Sequence, residues 1–134
     1  MNYSIHSILL VDDDQDDKYF FHKALEVTNP EISLSFASDG LDALEKLQFI
    51  TPDVILLDLN MPKMNGVPFL KKIKSTRHLR DIPVIIYTAG LSVFDEAESL
   101  KLGAYQVYLK PQTFDETKKT IADILQISFI RMRA

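Results

Sequence analysis

The sequence predicts an α/β domain: a five-stranded parallel sheet of order 2-1-3-4-5 with helices on both faces. Three observations carry that expectation. Short apolar runs at residues 8–11, 54–57, 84–87 and 107–109 are rich in β-branched residues and lack polar alternation, as strands buried on both faces of a parallel sheet do. Segments with apolar residues at helical spacing lie between the runs. Each run also ends abruptly in a polar residue: Asp12 with Asp13, then Asp58, Thr88 and Lys110.

After the first strand, Asp14, Asp16 and Asp17 suit the first turn of a helix, where acidic groups complement the positive end of the dipole. Tyr19, Phe20, Ala24 and Val27 supply its apolar periodicity up to the break at Asn29-Pro30. Residues 32–36 alternate apolar and polar, the pattern of a more exposed strand near the sheet edge. Ser38 is then the candidate N-cap of a helix from about Asp39, with Leu41, Ala43, Leu44 and Leu47 on its apolar positions. Thr51-Pro52 precedes the strand at 54–57, and Phe69, Leu70 and Ile73 mark the next helix. Lys71, Lys72, Lys74, Arg77 and Arg80 read as the solvated face and exit loop of that helix. Ile82-Pro83 leads into the strand at 84–87, and Ser92 marks a helix start before Val93-Phe94-Asp95. Gly103 ends that helix ahead of the strand at 107–109. Thr113 with Glu116 forms a capping box for the last helix, which runs toward Gln126. Phe20, Phe21, Phe69 and Phe94 are core or docking residues, and the sequence does not divide them.

Strand and helix alternate five times, so right-handed crossovers give a parallel sheet, and an open flavodoxin-like order is favoured. A closed eight-stranded barrel needs about 250 residues, and this chain has 134. One domain is expected, with a core at about 6–127 and a short C-terminal tail. The net charge of -4 is too mild for a nucleic-acid-binding surface. The absence of cysteine excludes disulfides, thiolate zinc sites and thiol nucleophiles, and fits a reducing compartment. No apolar run approaches the roughly 18 residues of a membrane span, and residues 1–6 lack the features of a signal peptide. A cytoplasmic protein without membrane contact is the expectation.

In a sheet of order 2-1-3-4-5 the first and third strands are neighbours at the switch point, so Asp12, Asp13 and Asp58 converge on one crevice. Three like charges there require a bound cation, a shared proton or a cationic side chain. Lys110 supplies one positive charge, and an oxygen-only ligand set favours a hard divalent ion, with Mg2+ the natural candidate. Such a half-open acidic site invites a phosphoryl group. Asp58 then serves as nucleophile, Thr88 and Lys110 bind phosphoryl oxygens, and the small Ala89 leaves the approach open. His6, His22 and His78 are scattered without ligand spacing and read as surface or boundary residues.

Taken jointly, these residues resemble the receiver domain of bacterial two-component response regulators. The resemblance rests on Leu10-Val11-Asp12-Asp13-Asp14, on Leu57-Asp58-Leu59-Asn60-Met61-Pro62 with Gly66, on Tyr87-Thr88-Ala89, and on Gly103-Ala104 followed by Lys110-Pro111. It implies that Asp58 is the phosphoacceptor and that the metal set is Asp12, Asp13, Asp58 and Asn60. In that set Asp13 ligates Mg2+ directly, Asp12 acts mainly through water, and Asn60 contributes its backbone carbonyl. It further implies a phosphohistidine donor on a sensor histidine kinase or histidine phosphotransfer protein, and a domain that catalyses only its own phosphorylation and slow dephosphorylation. Asn60 and Gly90 occupy positions that tune that hydrolysis in the family.

The chain departs from the family at Val107, where most members carry a switch aromatic three residues before the lysine. Output then runs through the loop after Thr88, or Tyr105 substitutes if the register is locally shifted. Only residues 128–134 follow the last helix, which leads to the expectation of a stand-alone receiver signalling through a partner protein, without a DNA-binding module. A phosphorylation-dependent homodimer through helix four, strand five and helix five stays open, as does the downstream target. The alternative is a small Mg2+-dependent aspartyl-phosphate phosphatase or phosphotransferase, which needs an acid-base residue where this chain has Leu59-Asn60. A third option is a degenerate receiver that binds partners without phosphorylation.

Overall fold

The elements run β1 (Asn2–Tyr3), β2 (Ser7–Val11), α1 (Gln15–Thr28), β3 (Ser33–Ala37), α2 (Gly40–Lys46) and β4 (Val54–Leu57). They continue as α3 (Gly66–Ser75), β5 (Val84–Thr88), α4 (Val93–Lys101), β6 (Gln106–Leu109), α5 (Phe114–Leu125) and β7 (Phe129–Ile130). This computed structural model describes residues 2–61, 66–90, 93–127 and 129–130. Ser92, expected as a helix cap, Pro62 of the phosphoacceptor loop, and Ser128 with residues 131–134 of the expected tail lie outside the described residues, as does the side chain of Phe94.

Five parallel strands pair in the order β3-β2-β4-β5-β6. Counted over these strands alone, this is the expected 2-1-3-4-5. Alternate residues feed two apolar layers. Leu9, Val11, Ile55, Leu57 and Ile86 face Phe69, Leu70 and Ile73 of α3 with Ala43 of α2. Ile8, Leu10, Leu56, Ile85 and Tyr87 face Phe21, Ala24 and Leu25 of α1 and Ile121 and Ile124 of α5. Each such large side chain removed from water stabilises the fold by about 1.5–3 kcal/mol, which makes the sheet a rigid platform for whatever its strand ends carry.

Most local signals lie where the sequence predicts them. Thr113 Oγ1 accepts from the Glu116 backbone N–H at 3.1 Å as the capping box requires, and Gln126 is the C-cap of α5. The cap of α2, however, is Asp39 and not Ser38: the Asp39 carboxylate accepts from Asp42 N–H at 2.8 Å from an extended backbone, while Ser38 N–H donates to Asp42 Oδ2. The face α1 buries is Lys18, Phe21, Ala24 and Leu25, and Tyr19, Phe20 and Val27 point to solvent. Of the apolar positions expected on that helix, Ala24 is therefore on the buried side, and Tyr19, Phe20 and Val27 are on the solvent side. Strand β6 is an edge strand with Leu109 exposed, so its apolar run is not buried on both faces. Lys74 does not extend into water: its ammonium donates to the carbonyls of Arg80 and Ile82 at 3.1 and 2.9 Å, and burial lowers its pKa. Gly103, at φ +109°, packs against the Lys74 stem in a backbone conformation that side-chain-bearing residues rarely adopt.

Order also extends past the expected 6–127 core. Tyr3 and Phe129 pair in an antiparallel ribbon of β1 with β7, their rings 5.6 Å apart. Phe129 is buried and also takes the Tyr105 ring edge-to-face at 4.9 Å. Tyr105 is thus engaged in the ribbon contact, and β6 keeps a regular register from Gln106 to Leu109 against β5, with no local shift that would bring Tyr105 to the Val107 position. Val107 is half-buried against the apolar layer that faces α2 and α3.

Candidate functional site

The sheet ladder carries the chemistry-bearing residues just beyond its own ends. Asp12 N–H donates to Ala37 O, Asp58 N–H to Val11 O and Lys110 N–H to Thr88 O, each at 2.8–3.0 Å. One extra ladder bond therefore fixes the backbone of each residue that follows a strand, and Thr88 closes β5 itself. Asp12 and Thr88 have no exposed surface and Asp58 is 4% exposed.

Asp12, Asp13 and Asp58 come together as expected, each offering an oxygen within 4.8 Å of the others. The two oxygens of Asp58 have different partners. One accepts from the Thr88 hydroxyl at 2.7 Å and from Asn60 N–H at 3.0 Å, and the other from the Lys110 ammonium at 3.0 Å. The Asn60 side-chain amide donates to Thr88 Oγ1 at 3.2 Å and to Gly90 O at 2.9 Å, so the two positions beyond Asp58 and Thr88 touch each other. Ala89 is exposed and leaves that side open. Gly66, at the start of α3, has to be glycine: a Cβ there would lie 2.7 Å from Asp58 O and 3.0 Å from Leu59 Cα.

One member was not anticipated. Asp17, assigned from the sequence only to the helix dipole, places a carboxylate oxygen 2.7 Å from Lys110 Nζ. Asp13 precedes the first turn of α1, so no helical spacing ties Asp17 to the acidic pair, and the sequence carries no local signal for its contact with Lys110. Asp14, by contrast, caps α1 as read, accepting from Asp16 N–H and Asp17 N–H.

Burial sets the electrostatics. Desolvation raises the Asp12 carboxyl to about 6, against the opposing effect of Lys110 and of the Asp14 N–H. Burial alone would lower the Lys110 ammonium, yet Asp12, Asp17 and Asp58 outweigh it and raise its pKa. Asp12 Oδ2 lies 2.7 Å from Lys110 Nζ but receives no well-directed hydrogen bond. A buried anionic oxygen in that state, among carboxylates that outnumber the single ammonium, fits a hard divalent cation with oxygen ligands.

The family profile described as response regulator receiver domain matches residues 8–122. Among curated proteins the chain is similar to the regulatory protein AtoC of Escherichia coli (strain K12), 33% identical over 128 residues that make up 96% of this chain and 27% of that one. It is similar to the transcriptional regulatory protein ZraR of Klebsiella oxytoca, 37% identical over 118 residues, 88% of this chain and 26% of that one. The chain therefore spans about a quarter of the length of these two relatives. Among solved structures it resembles the phosphorylated cyanobacterial phytochrome response regulator RcpA, 28% identical with a TM-score of 0.81, covering 92% of this chain and 96% of that one. The Mn(2+)-bound form of response regulator Rcp1 is likewise 28% identical, with a TM-score of 0.81 over 96% of this chain and 99% of that one. Among the described residues no helix is long and apolar enough to cross a membrane.

Proposed function

This chain belongs to the response regulator receiver domain family of two-component signalling, and from that premise we propose that it takes a phosphoryl group onto Asp58 and signals by a phosphorylation-dependent protein contact. The observation that carries the reading is the division of labour around Asp58: a hydroxyl and a backbone N–H on one oxygen, a buried ammonium on the other. A phosphohistidine of a sensor histidine kinase or phosphotransfer protein is the donor. A carboxylate oxygen of Asp58 attacks phosphorus, the P–N bond breaks, and the imidazole leaves with that electron pair. The Thr88 hydroxyl and the Lys110 ammonium, both already within 3.0 Å of Asp58, turn to the phosphoryl oxygens and stabilise their charge.

Asp12, Asp13, Asp58 and the Asn60 backbone carbonyl would hold Mg2+, which when bound supplies countercharge to the phosphoryl group. The oxygen-only set supports a hard ion, and the Mn(2+)-bound form of Rcp1 is a relative with a divalent metal. Asn60 lies at the mouth with its amide tied to Gly90 and Thr88, a placement from which both residues would govern water access and phosphate lifetime. Leu59 and Asn60 supply no carboxylic acid beside Asp58, which favours slow self-dephosphorylation over turnover of external substrates, so the chain catalyses only reactions of its own phosphate.

Incubation with acetyl phosphate and Mg2+ tests this. The expected product carries a single hydroxylamine-sensitive phosphoryl group by intact mass, absent from Asp58→Asn. Rapid donor turnover without accumulation would favour a phosphatase, and no uptake at all would leave a receiver that binds without phosphorylation.

A further inference from the structure

Lys110 has one partner more than phosphoryl transfer calls for. Its ammonium has three N–H donors: two are hydrogen-bonded to Asp17 Oδ2 at 2.7 Å and Asp58 Oδ2 at 3.0 Å, and Asp12 Oδ2 lies 2.7 Å from the nitrogen as an ion pair. Asp12 and Asp58 belong to the carboxylate cluster suited to a cation, and Asp17 does not. Among the three partners, Asp17 is therefore the one that neither accepts phosphate nor sits among the candidate ligands.

Its support is firm. Asp17 stands in the first turn of α1, its N–H bonded to the Asp14 cap at 3.2 Å. One turn further on, the buried Phe21 packs edge-to-face on Tyr87 of β5, with ring centroids 5.6 Å apart. The lysine, in contrast, follows an edge strand and reaches the site on a flexible four-carbon stem. When Asp58 takes a phosphoryl group, the N–H that faced its carboxylate has to move to a phosphoryl oxygen. A fixed anion beside the ammonium keeps the nitrogen at the site through that exchange.

We infer that Asp17 is a positioning residue, holding the Lys110 ammonium from helix α1 so that it meets the phosphoryl group on Asp58. The inference rests on the assignment of Asp58 as phosphoacceptor and identifies what orients its lysine. The Asp17 side chain is 35% exposed and the buried Lys110 keeps Asp12 and Asp58 beside it when Asp17 is replaced, so the effect is expected chiefly in the reaction and less in the melting curve.

The test measures uptake from acetyl phosphate with Mg2+ in the full chain and follows the Lys110 ammonium resonance by 15N NMR. Asp17→Asn is expected to slow uptake about tenfold, within the cost of a small misplacement of a catalytic group, and to broaden that resonance. Asp17→Glu restores part of the rate, and Asp17→Asn adds no further loss in a Lys110→Ala background. Wild-type uptake in Asp17→Asn with an unchanged ammonium resonance overturns the inference, and so does an Asp17→Asn effect that persists undiminished without Lys110. A wild-type chain that takes up no phosphate, by contrast, refutes the assignment of Asp58 itself.

Discussion

Asp53 and Asp58 flank strand β4 at its two ends and have opposite kinds of partner. Asp53 Oδ2 accepts from the backbone N–H groups of His6 and Ser7 at 2.8 and 3.1 Å, and its own N–H donates to Ser7 O. The Tyr3 hydroxyl donates to its carbonyl. The donors to the Asp53 carboxylate are main chain and are fixed by the sheet. Asp58 has one backbone donor, Asn60 N–H, and otherwise a threonine hydroxyl and a lysine ammonium, both able to rotate toward a new acceptor. The difference teaches how one residue type binds main-chain donors at the amino end of a strand and side-chain donors at the carboxyl end, where the proposed phosphoryl transfer needs partners that can turn away while the fold stands.

Substitution at the two positions gives the largest contrast. Asp58→Asn is expected to abolish phosphate uptake by intact mass, whereas Asp53→Asn keeps uptake and lowers stability by about 1–2 kcal/mol in denaturant titrations. Equal loss of uptake in both would break the comparison. Phe129→Ala, at the Asp53 end, empties a buried ring site and is expected to cost about 3–4 kcal/mol, with uptake retained well below the melting temperature. That outcome sharpens the separation of a closing end from a reacting end.

A smaller effect comes from pH. Burial raises the Asp12 carboxyl from 3.8 to about 6, so the folded chain holds a proton there that the unfolded chain releases. In metal-free protein this stability is fully present below pH 3.8 and is lost as pH rises through about 6, up to about 3 kcal/mol. Urea titrations between pH 4 and 7 read it, and Asp12→Asn is expected to flatten the slope. Mg2+ affinity by calorimetry runs the other way, weakening below about pH 6 as the proton competes for the carboxylate. Smallest of all, Thr113→Ala removes the α5 cap, remote from both aspartates, and is expected to cost about 1 kcal/mol without changing uptake.

Much of the site was legible because a doubly wound sheet converts sequence order into spatial order. Asp12, Asp13, Asp58, Thr88 and Lys110 each close or follow an apolar run, and parallel strands bring such ends to one edge. Caps were legible where one side chain reaches a donor two or three residues on, as at Asp14 and Thr113, and misplaced by one residue at Ser38 because Asp39 next to it has the same competence. The face of α1 was not. Its periodicity shows which residues share a side but not which side turns inward, and packing against β5 chose Phe21 over Tyr19 and Phe20.

The sequence by itself determined the alternation of strand and helix, the order of the sheet, and the set of acidic, hydroxyl and basic residues at the strand ends. Only the tertiary structure decided that Asp17 joins Lys110 across 93 residues of chain and that Phe129 brings β7 back to Tyr3 and Tyr105. Hydrogen-bonding and helical period act over a few residues and leave a local trace. A contact between distant segments exists only once the core has fixed their relative position, so no short stretch of sequence carries it.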